Sequence, residues 1–543
     1  MSPSTKPLFF LVNSSLLLTT SLVHGTHLPD SDLILSYCPI ALYPRLCATT
    51  LSAAKPENLA TIKDVIEFTI TKTKKTIQDN FHTINDLTTT TTNLTKREKN
   101  VLHDCLQLAA GTQEALDKVI GNLREYPAKK SLRKYADDLK TLMSTTITNK
   151  ETCLDGFSRD ADSKRLRDSI AGGQEHGGKM CSNALAMIVN MTETDMDMAN
   201  EAELGIQEVT MWPEWLSAVD RKLMESEEVM PDATVAADGS GDYTTVGAAV
   251  AAAPSKSKSR YVIKIAAGVY RENVEIPRSK TNIMFIGDGR STTIITGYRS
   301  SVGGSTTFDS ATVAALGDGF LARDITIQNT AGPSGEHAVA LCVGSDLSAF
   351  YKCNLLAYQD TLYAHSNRQF FVDCKIVGTV DYIFGNSAVV FQYCDIQIRR
   401  PNPNQENFIT AQGRTDPNQN TGSVFQKCTI TATSDLQPVQ ASFPTYLGRP
   451  WKEYSRVVVM QSSISDVIDP AGWAPWDGDF ALDTLYYREY ENTGPGADTS
   501  KRVTWKGWGV ITDPKEAEYF TPGSFIAGGW WLGSTGFPFS LGL

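Results

Sequence analysis

The chain is expected to fold as an all-α four-helix bundle followed by an all-β, single-stranded parallel β-helix, and three observations lead there. One pattern recurs through the second half: Phe350-x-x-Cys353-x-Leu355, Phe371-x-x-Cys374-x-Ile376, Phe391-x-x-Cys394-x-Ile396 and Phe425-x-x-Cys428-x-Ile430. A relaxed copy, Phe320-x-x-Arg323-x-Ile325, precedes them, and the steps are 30, 21, 20 and 34 residues. Repeats of that length with period-2 apolar alternation are what stacked β-coils produce. The first half has apolar stripes at helical spacing instead. Finally, 543 residues exceed one ordinary core, so at least two domains are required.

Taken in order, residues 1–25 read as a secretory signal peptide. Lys6 supplies the basic start, Leu8 to Leu18 the short apolar run, and Val23-His24-Gly25 the small-residue end. Asn13, Ser14 and Ser15 interrupt the run and make it a poor membrane span. Secretion permits disulfides among the ten cysteines and glycosylation at the sequons of Asn93 and Asn190.

Residues 26–205 carry four stripes: Ile62 to Ile84, Leu102 to Leu123, Leu132 to Met143, and Ala184 to Ile188. Short polar connections between them suggest an antiparallel bundle. The spacing of Cys38 with Cys47, and of Cys105 with Cys153, suggests two bridges, one stapling the N-terminal hairpin and one tying the second stripe to the third. The threonine run Thr88 to Thr92 reads as a solvated loop. Residues 206–230 are acidic and read as a linker, with Arg221-Lys222-Leu223-Met224 as a candidate protease site.

From residue 231 to 543 short strands are bounded by Gly, Asp and Asn. Seven residues after Cys353 and Cys374 stand Asp360 and Asp381, equivalent positions in adjacent coils. Coils stack at about 4.8 Å, so the two carboxylates should be neighbours, a candidate acid/base or nucleophile pair. No Gly-x-Ser-x-Gly elbow and no zinc spacing occurs, which leaves carboxylates to carry the chemistry without metal or cofactor. The net charge of −11 speaks against a nucleic-acid partner.

The motifs Gly268-Val269-Tyr270-Arg271-Glu272, Gln359-Asp360-Thr361-Leu362-Tyr363, Asp381-Tyr382-Ile383-Phe384-Gly385 and Tyr446-Leu447-Gly448-Arg449-Pro450-Trp451 resemble those of plant pectin methylesterases, in family order. Asp104-Cys105 and Thr152-Cys153-Leu154-Asp155-Gly156-Phe157 resemble the invertase and pectin methylesterase inhibitor family, so the whole resembles a pro-enzyme. The resemblance implies a right-handed β-helix, secreted to the cell wall as a monomer and acting on methyl-esterified homogalacturonan. It implies restraint by its own helical domain, or by separate inhibitor proteins, until a subtilisin-like protease cuts the linker. Carried over by position, it makes Asp381 the nucleophile, Asp360 the proton donor and acceptor, and Gln359 an oxyanion donor contributing about 3 kcal/mol. Arg449, Trp451, Tyr363, Phe384, Trp476 and Phe308 become substrate-binding residues, with Arg449 also orienting Asp381. The family pattern also pairs Cys394 with Cys428 and leaves Cys353 and Cys374 open.

One position departs from the family. His337-Ala338-Val339-Ala340-Leu341-Cys342 stands where the family has Gln-Ala-Val-Ala-Leu-Arg, so His337 occupies the second oxyanion position. A histidine there implies a pH dependence an amide would not have. It also opens the alternative of a catalytically weakened wall-binding or inhibitor protein, and, independently of this histidine, another pectin-active β-helix enzyme such as a lyase or glycosidase stands as a third reading.

Overall fold

A computed structural model of the chain describes residues 36–54, 59–127, 132–157, 161–199 and 230–543. The signal peptide and the processing site at Arg221, Lys222, Leu223 and Met224 lie outside the described residues.

The first unit contains α1 (Pro44–Leu51), α2 (Ile62–Thr90), α3 (Lys96–Glu125), α4 (Leu132–Asp155) and α5 (Ala161–Met198). Thr61 and Thr95 open α2 and α3 as capping boxes with Asp64 and Glu98, satisfying the free amides of the first turn. The four long helices form a ring in which α2 and α4 each pack on both α3 and α5. Val65, Ile66, Ile70, Leu116, Val119, Leu139, Met143, Leu185 and Ile188 fill its centre. Disulfides join Cys38 to Cys47 and Cys105 to Cys153, the second tying α3 to α4. Cys181 is buried and free. Asn93 is exposed at a left-handed turn before α3, and Asn190 is exposed on α5. The threonine run corrects part of the expected loop: α2 continues to Thr90, and Thr91 and Thr92 lie exposed beyond it. Thr88, Thr89 and Thr90 return their hydroxyls to Ile84, Asn85 and Asp86 carbonyls, so they cap their own turn instead of breaking it.

The second unit is a parallel β-helix of three sheets with eleven, eight and seven strands among the described residues. Each central coil contributes one strand to each sheet, and the eleven-stranded sheet extends further at its ends. Phe350 registers with Phe371, Phe371 with Phe391 and Phe391 with Phe425. Their rings stack at 4.5, 5.0 and 4.7 Å inside the coil, each pair adding roughly 0.5–1.5 kcal/mol beyond area burial. The relaxed copy at Phe320 is displaced by two residues. Ala322 registers with Phe350, and Ile325 lies just before the Thr326–Asn354 pairing, in the place of Cys353.

The cysteines correct a second expectation. Cys353, Cys374, Cys394 and Cys428 are all buried and free, so Cys394 and Cys428 form no bridge. Each thiol instead meets the carbonyl two residues back and one from the previous coil: Cys394 Sγ to Gln392 and Phe371, Cys428 Sγ to Gln426 and Phe391. Ser462 makes the same two bonds one coil later, to Met460 and Phe425. The column therefore calls for a small buried donor, and sulfur serves there as a hydroxyl does. Just before it, Lys352, Asp373, Tyr393, Lys427 and Gln461 each adopt positive φ to turn the corner.

The seven-stranded sheet carries the site, and its strands are numbered here β1 (Val274–Ile276), β2 (Val313–Ala315), β3 (Leu341–Val343), β4 (Leu362–Ala364), β5 (Ile383–Gly385), β6 (Asn407–Gln412) and β7 (Thr445–Pro450). Glu272 of the Gly268–Glu272 motif reaches the Val246 and Gly247 amides at 2.8 and 2.9 Å and caps helix α6 (Val246–Ala252). That motif closes the first coil and is structural.

Candidate active site

Register decides the site. Tyr363 on β4 pairs with Phe384 on β5, Phe384 with Ala411 on β6, and Ala411 with Arg449 on β7. Because Leu362 pairs with Ile383, the turn residues Asp360 and Asp381, two places earlier, are stacked equivalents. Both adopt positive φ, 63° and 50°, a conformation aspartate accepts more readily than most residues. The Asp360 amide bonds the Val380 carbonyl at 3.1 Å, which clips one turn onto the next. Within the second motif Tyr382 and Ile383 join the coil's core, while Phe384 joins the outer cluster with Tyr363 and Phe308. Gly385 closes it at φ 123°, where a Cβ would lie 2.1 Å from the Ala364 carbonyl oxygen.

Arg449 holds Asp381 bidentately, Nε to Oδ1 at 2.8 Å and Nη2 to Oδ2 at 2.6 Å. Its guanidinium is itself clamped between Phe408 at 4.0 Å and Trp476 at 4.5 Å. Trp476 thus braces Arg449 and presents its remaining face to solvent. Burial pushes the Asp381 carboxyl up, and Arg449 pulls it back only in part because Asp360 pushes the same way. Replacing Arg449 by alanine removes the opposing charge. The acidic limb of the activity profile should then move to higher pH, with kcat at pH 5 about a hundredfold below the parent and partial recovery towards pH 8. A parallel loss at every pH would show that Arg449 acts on substrate and not through Asp381.

His337 takes an unexpected place. Its Nδ1 lies 2.6 Å from Asp360 Oδ2, and Gln359 Nε2 approaches the same nitrogen at 3.4 Å. One of its two ring nitrogens is therefore engaged by a carboxylate. Asp360 above all, then Asp381 and Glu336, raises the imidazole to about 9 against the opposing pull of burial. Gln359, Asp360, His337, Asp381 and Arg449 are brought together as one cluster. Tyr363 and Phe384 stack at 4.3 Å, Trp451 meets Phe384 edge-on at 6.0 Å, and Phe308 lies edge-on to Tyr363 at 6.5 Å.

A helix of the first unit covers this row, a contact not expected from the sequence. Helix α4 is buried on all faces from Thr141 to Asn149. One face is the apolar stripe facing its own bundle; the other is a hydroxyl stripe laid along the β-helix. Thr152 Oγ1 meets the Tyr363 hydroxyl at 3.2 Å and His365 Nε2 at 2.9 Å. Thr148 accepts from Asn386, Thr145 donates to Asn367, and Ser144 and Thr141 engage Asn420. His365, sealed beneath this stripe, is held down to about 3 by burial. On α3, Asp104 accepts from Thr306, and burial raises its carboxyl to about 7. Arg97, Asn100 and Lys118 reach Ser305, Asp309 and Asp318 of the β-helix. The alternation Thr141, Ser144, Thr145, Thr148, Thr152 was the signal available in the sequence.

A carboxylate pair stacked on a β-helix, one member clamped by arginine, with an amide donor beside it, defines a carboxylate-based hydrolase, and the helical unit lies across its groove. The chain matches the Pectinesterase family over residues 232–529 and the Plant invertase/pectin methylesterase inhibitor family over residues 32–187. It is 61% identical over 523 residues to Pectinesterase 1 of Citrus sinensis, covering 95% of this chain and 89% of that one. It is 60% identical to Pectinesterase/pectinesterase inhibitor U1 of Solanum lycopersicum over 94% of this chain and 89% of that one. The solved pectin methylesterase from carrot shares 72% identity, with TM-score 0.58, across 59% of this chain and all of that one. The chain belongs to the pectinesterase family and is a carboxylic ester hydrolase carrying an inhibitor-family domain. No helix of the described residues is long and apolar enough to cross a membrane.

Proposed function

We propose that this chain is a secreted cell-wall pro-enzyme that hydrolyses the methyl esters of homogalacturonan to pectate and methanol, with its helical unit restraining it until the linker is cut. The bidentate hold of Arg449 on Asp381, beside Asp360, carries the reading. An Asp381 oxygen attacks the ester carbon, and the carbonyl electron pair moves onto oxygen, where Gln359 donates. The C–OCH3 bond then breaks as the departing oxygen takes the proton held between Asp360 and His337, and methanol leaves. Water gives its proton back to that bridge, attacks the acyl-aspartyl carbonyl and frees Asp381. Phe384, Tyr363, Trp451 and Phe308 line the polymer's path. A subtilisin-like protease acting at Arg221–Met224 would release a monomeric enzyme. Methanol release from methyl-esterified pectin by residues 230–543, with chain length unchanged and no unsaturated ends, tests the reading. Unsaturated or shortened products would favour a lyase or glycosidase.

His337 makes Asp360 one half of a proton bridge. The groups facing the ring are Asp360, Asp381 and its own neighbour Glu336, with Arg449 beyond Asp381. The imidazole stands at about 9 when folded against an ordinary 6.5. Its contribution to stability is therefore fully present below about pH 6.5 and is lost as pH rises through about 9. Relative to the parent, His337→Gln should flatten the fall in melting temperature between those values and move the alkaline limb of kcat. Identical pH profiles for both proteins would refute the shared proton.

A further inference from the structure

Lys452 follows Trp451 just beyond the end of β7, and its ion-pair partners belong to the helical unit. Its Nζ lies 2.8 Å from Asp155 Oδ2, 3.0 Å from Asp155 Oδ1 and 3.3 Å from Glu151 Oε2. Among the described residues, every carboxylate paired with Lys452 comes from α4. The ammonium also sits over the Trp451 ring at 5.2 Å, and its side chain is 19% exposed. Burial pulls it down, but Asp155 and Glu151 outweigh that and hold it above its ordinary value. Trp451 in turn meets Phe384, three residues after Asp381. The lysine is thus fixed at the edge of the aromatic row, and separation of the helical unit would leave it facing the groove with its anion position open.

We propose that Lys452 is a subsite for a free uronate carboxylate of the polymer, and that Glu151 and Asp155 occupy it as stand-ins while the helical unit is docked. The inference rests on the esterase reading of the groove. An ammonium gains a charge-assisted bond from a carboxylate and little from a methyl ester, so this position discriminates between de-esterified and esterified sugar units. The enzyme accordingly favours a methyl ester at Asp381 on a chain that already carries acid groups nearby, and acidic polymer competes with α4 for the groove.

The test uses the catalytic unit, residues 230–543, since the carrot structure corresponds to that unit alone. KM is measured on highly esterified and on partially de-esterified pectin of equal chain length. Lys452→Met should raise the ratio of the second KM to the first about tenfold, and Lys452→Arg should restore the parent ratio. A ratio unchanged in Lys452→Met, or a loss confined to kcat, overturns the subsite. Calorimetric binding of unesterified oligogalacturonate decides it separately: about tenfold weaker binding in Lys452→Met supports the proposal, and parental affinity rejects it. If the unit binds the oligomer but releases no methanol from either pectin, the esterase reading fails while the subsite stands.

Discussion

Asp381→Asn should lower methanol release by at least about a thousandfold, because an amide oxygen cannot supply the electron pair of the attacking carboxylate. The substitution keeps shape and one acceptor for Arg449, whose guanidinium stays clamped between Phe408 and Trp476. The cost in stability should therefore be limited to about 1–3 kcal/mol for the bond no longer made well. Far-ultraviolet circular dichroism would remain that of the parent, and the melting temperature would fall by a few degrees. More than a tenth of parental activity in the variant would mean that another group attacks the ester.

Cutting the chain between residues 199 and 230 and removing the helical unit should raise kcat/KM on polymeric substrate about a hundredfold, the factor by which a docked cover reduces the open fraction. The hydroxyl stripe of α4 lies across Tyr363, His365 and Asn386, where the polymer would run. Adding the separated unit back should inhibit, and more tightly in acid. Docked Asp104 keeps its proton to about pH 7, whereas a solvated carboxyl releases it near 3.8. Docking therefore takes up a proton, is favoured most at low pH, and weakens as pH rises through about 7. Asp137, raised to about 6 mainly by burial, acts in the same direction, as does Asp155; Glu151, whose lysine partners outweigh its burial and hold it low, opposes them. Inhibition constants measured from pH 5 to 8 would show the slope, and Asp104→Asn should flatten it. Equal inhibition across that range, or no gain on removal, would refute restraint by this contact.

The stacked aspartates were legible because coil stacking converts sequence equivalence into spatial adjacency. Asp360 and Asp381 stand seven residues after their cysteines, and the register of β4 with β5 repeats that offset in space. The disulfide expected between Cys394 and Cys428 failed for the same geometry. Adjacency permits a bridge, but each thiol faces a carbonyl of the preceding coil, and Ser462 fills the same role. Reading the column as a hydrogen-bonding position requires the fifth member, which is not cysteine. The threonine run at Thr88 to Thr90 was misread because composition alone does not reveal hydroxyls bonding back into their own helix.

By itself the sequence determined the two architectures, the stacked carboxylates and, through ordered motifs, that Gln359 and Arg449 stand beside them. Local periodicity and motif order suffice for these, because a coil and a helix are each specified by neighbours in the chain. The tertiary structure alone decided that His337 turns to Asp360, that Trp476 braces Arg449, and that α4 lays hydroxyls and two carboxylates over the groove. Each depends on contacts between residues 23 to more than 300 positions apart, whose pairing no local pattern encodes.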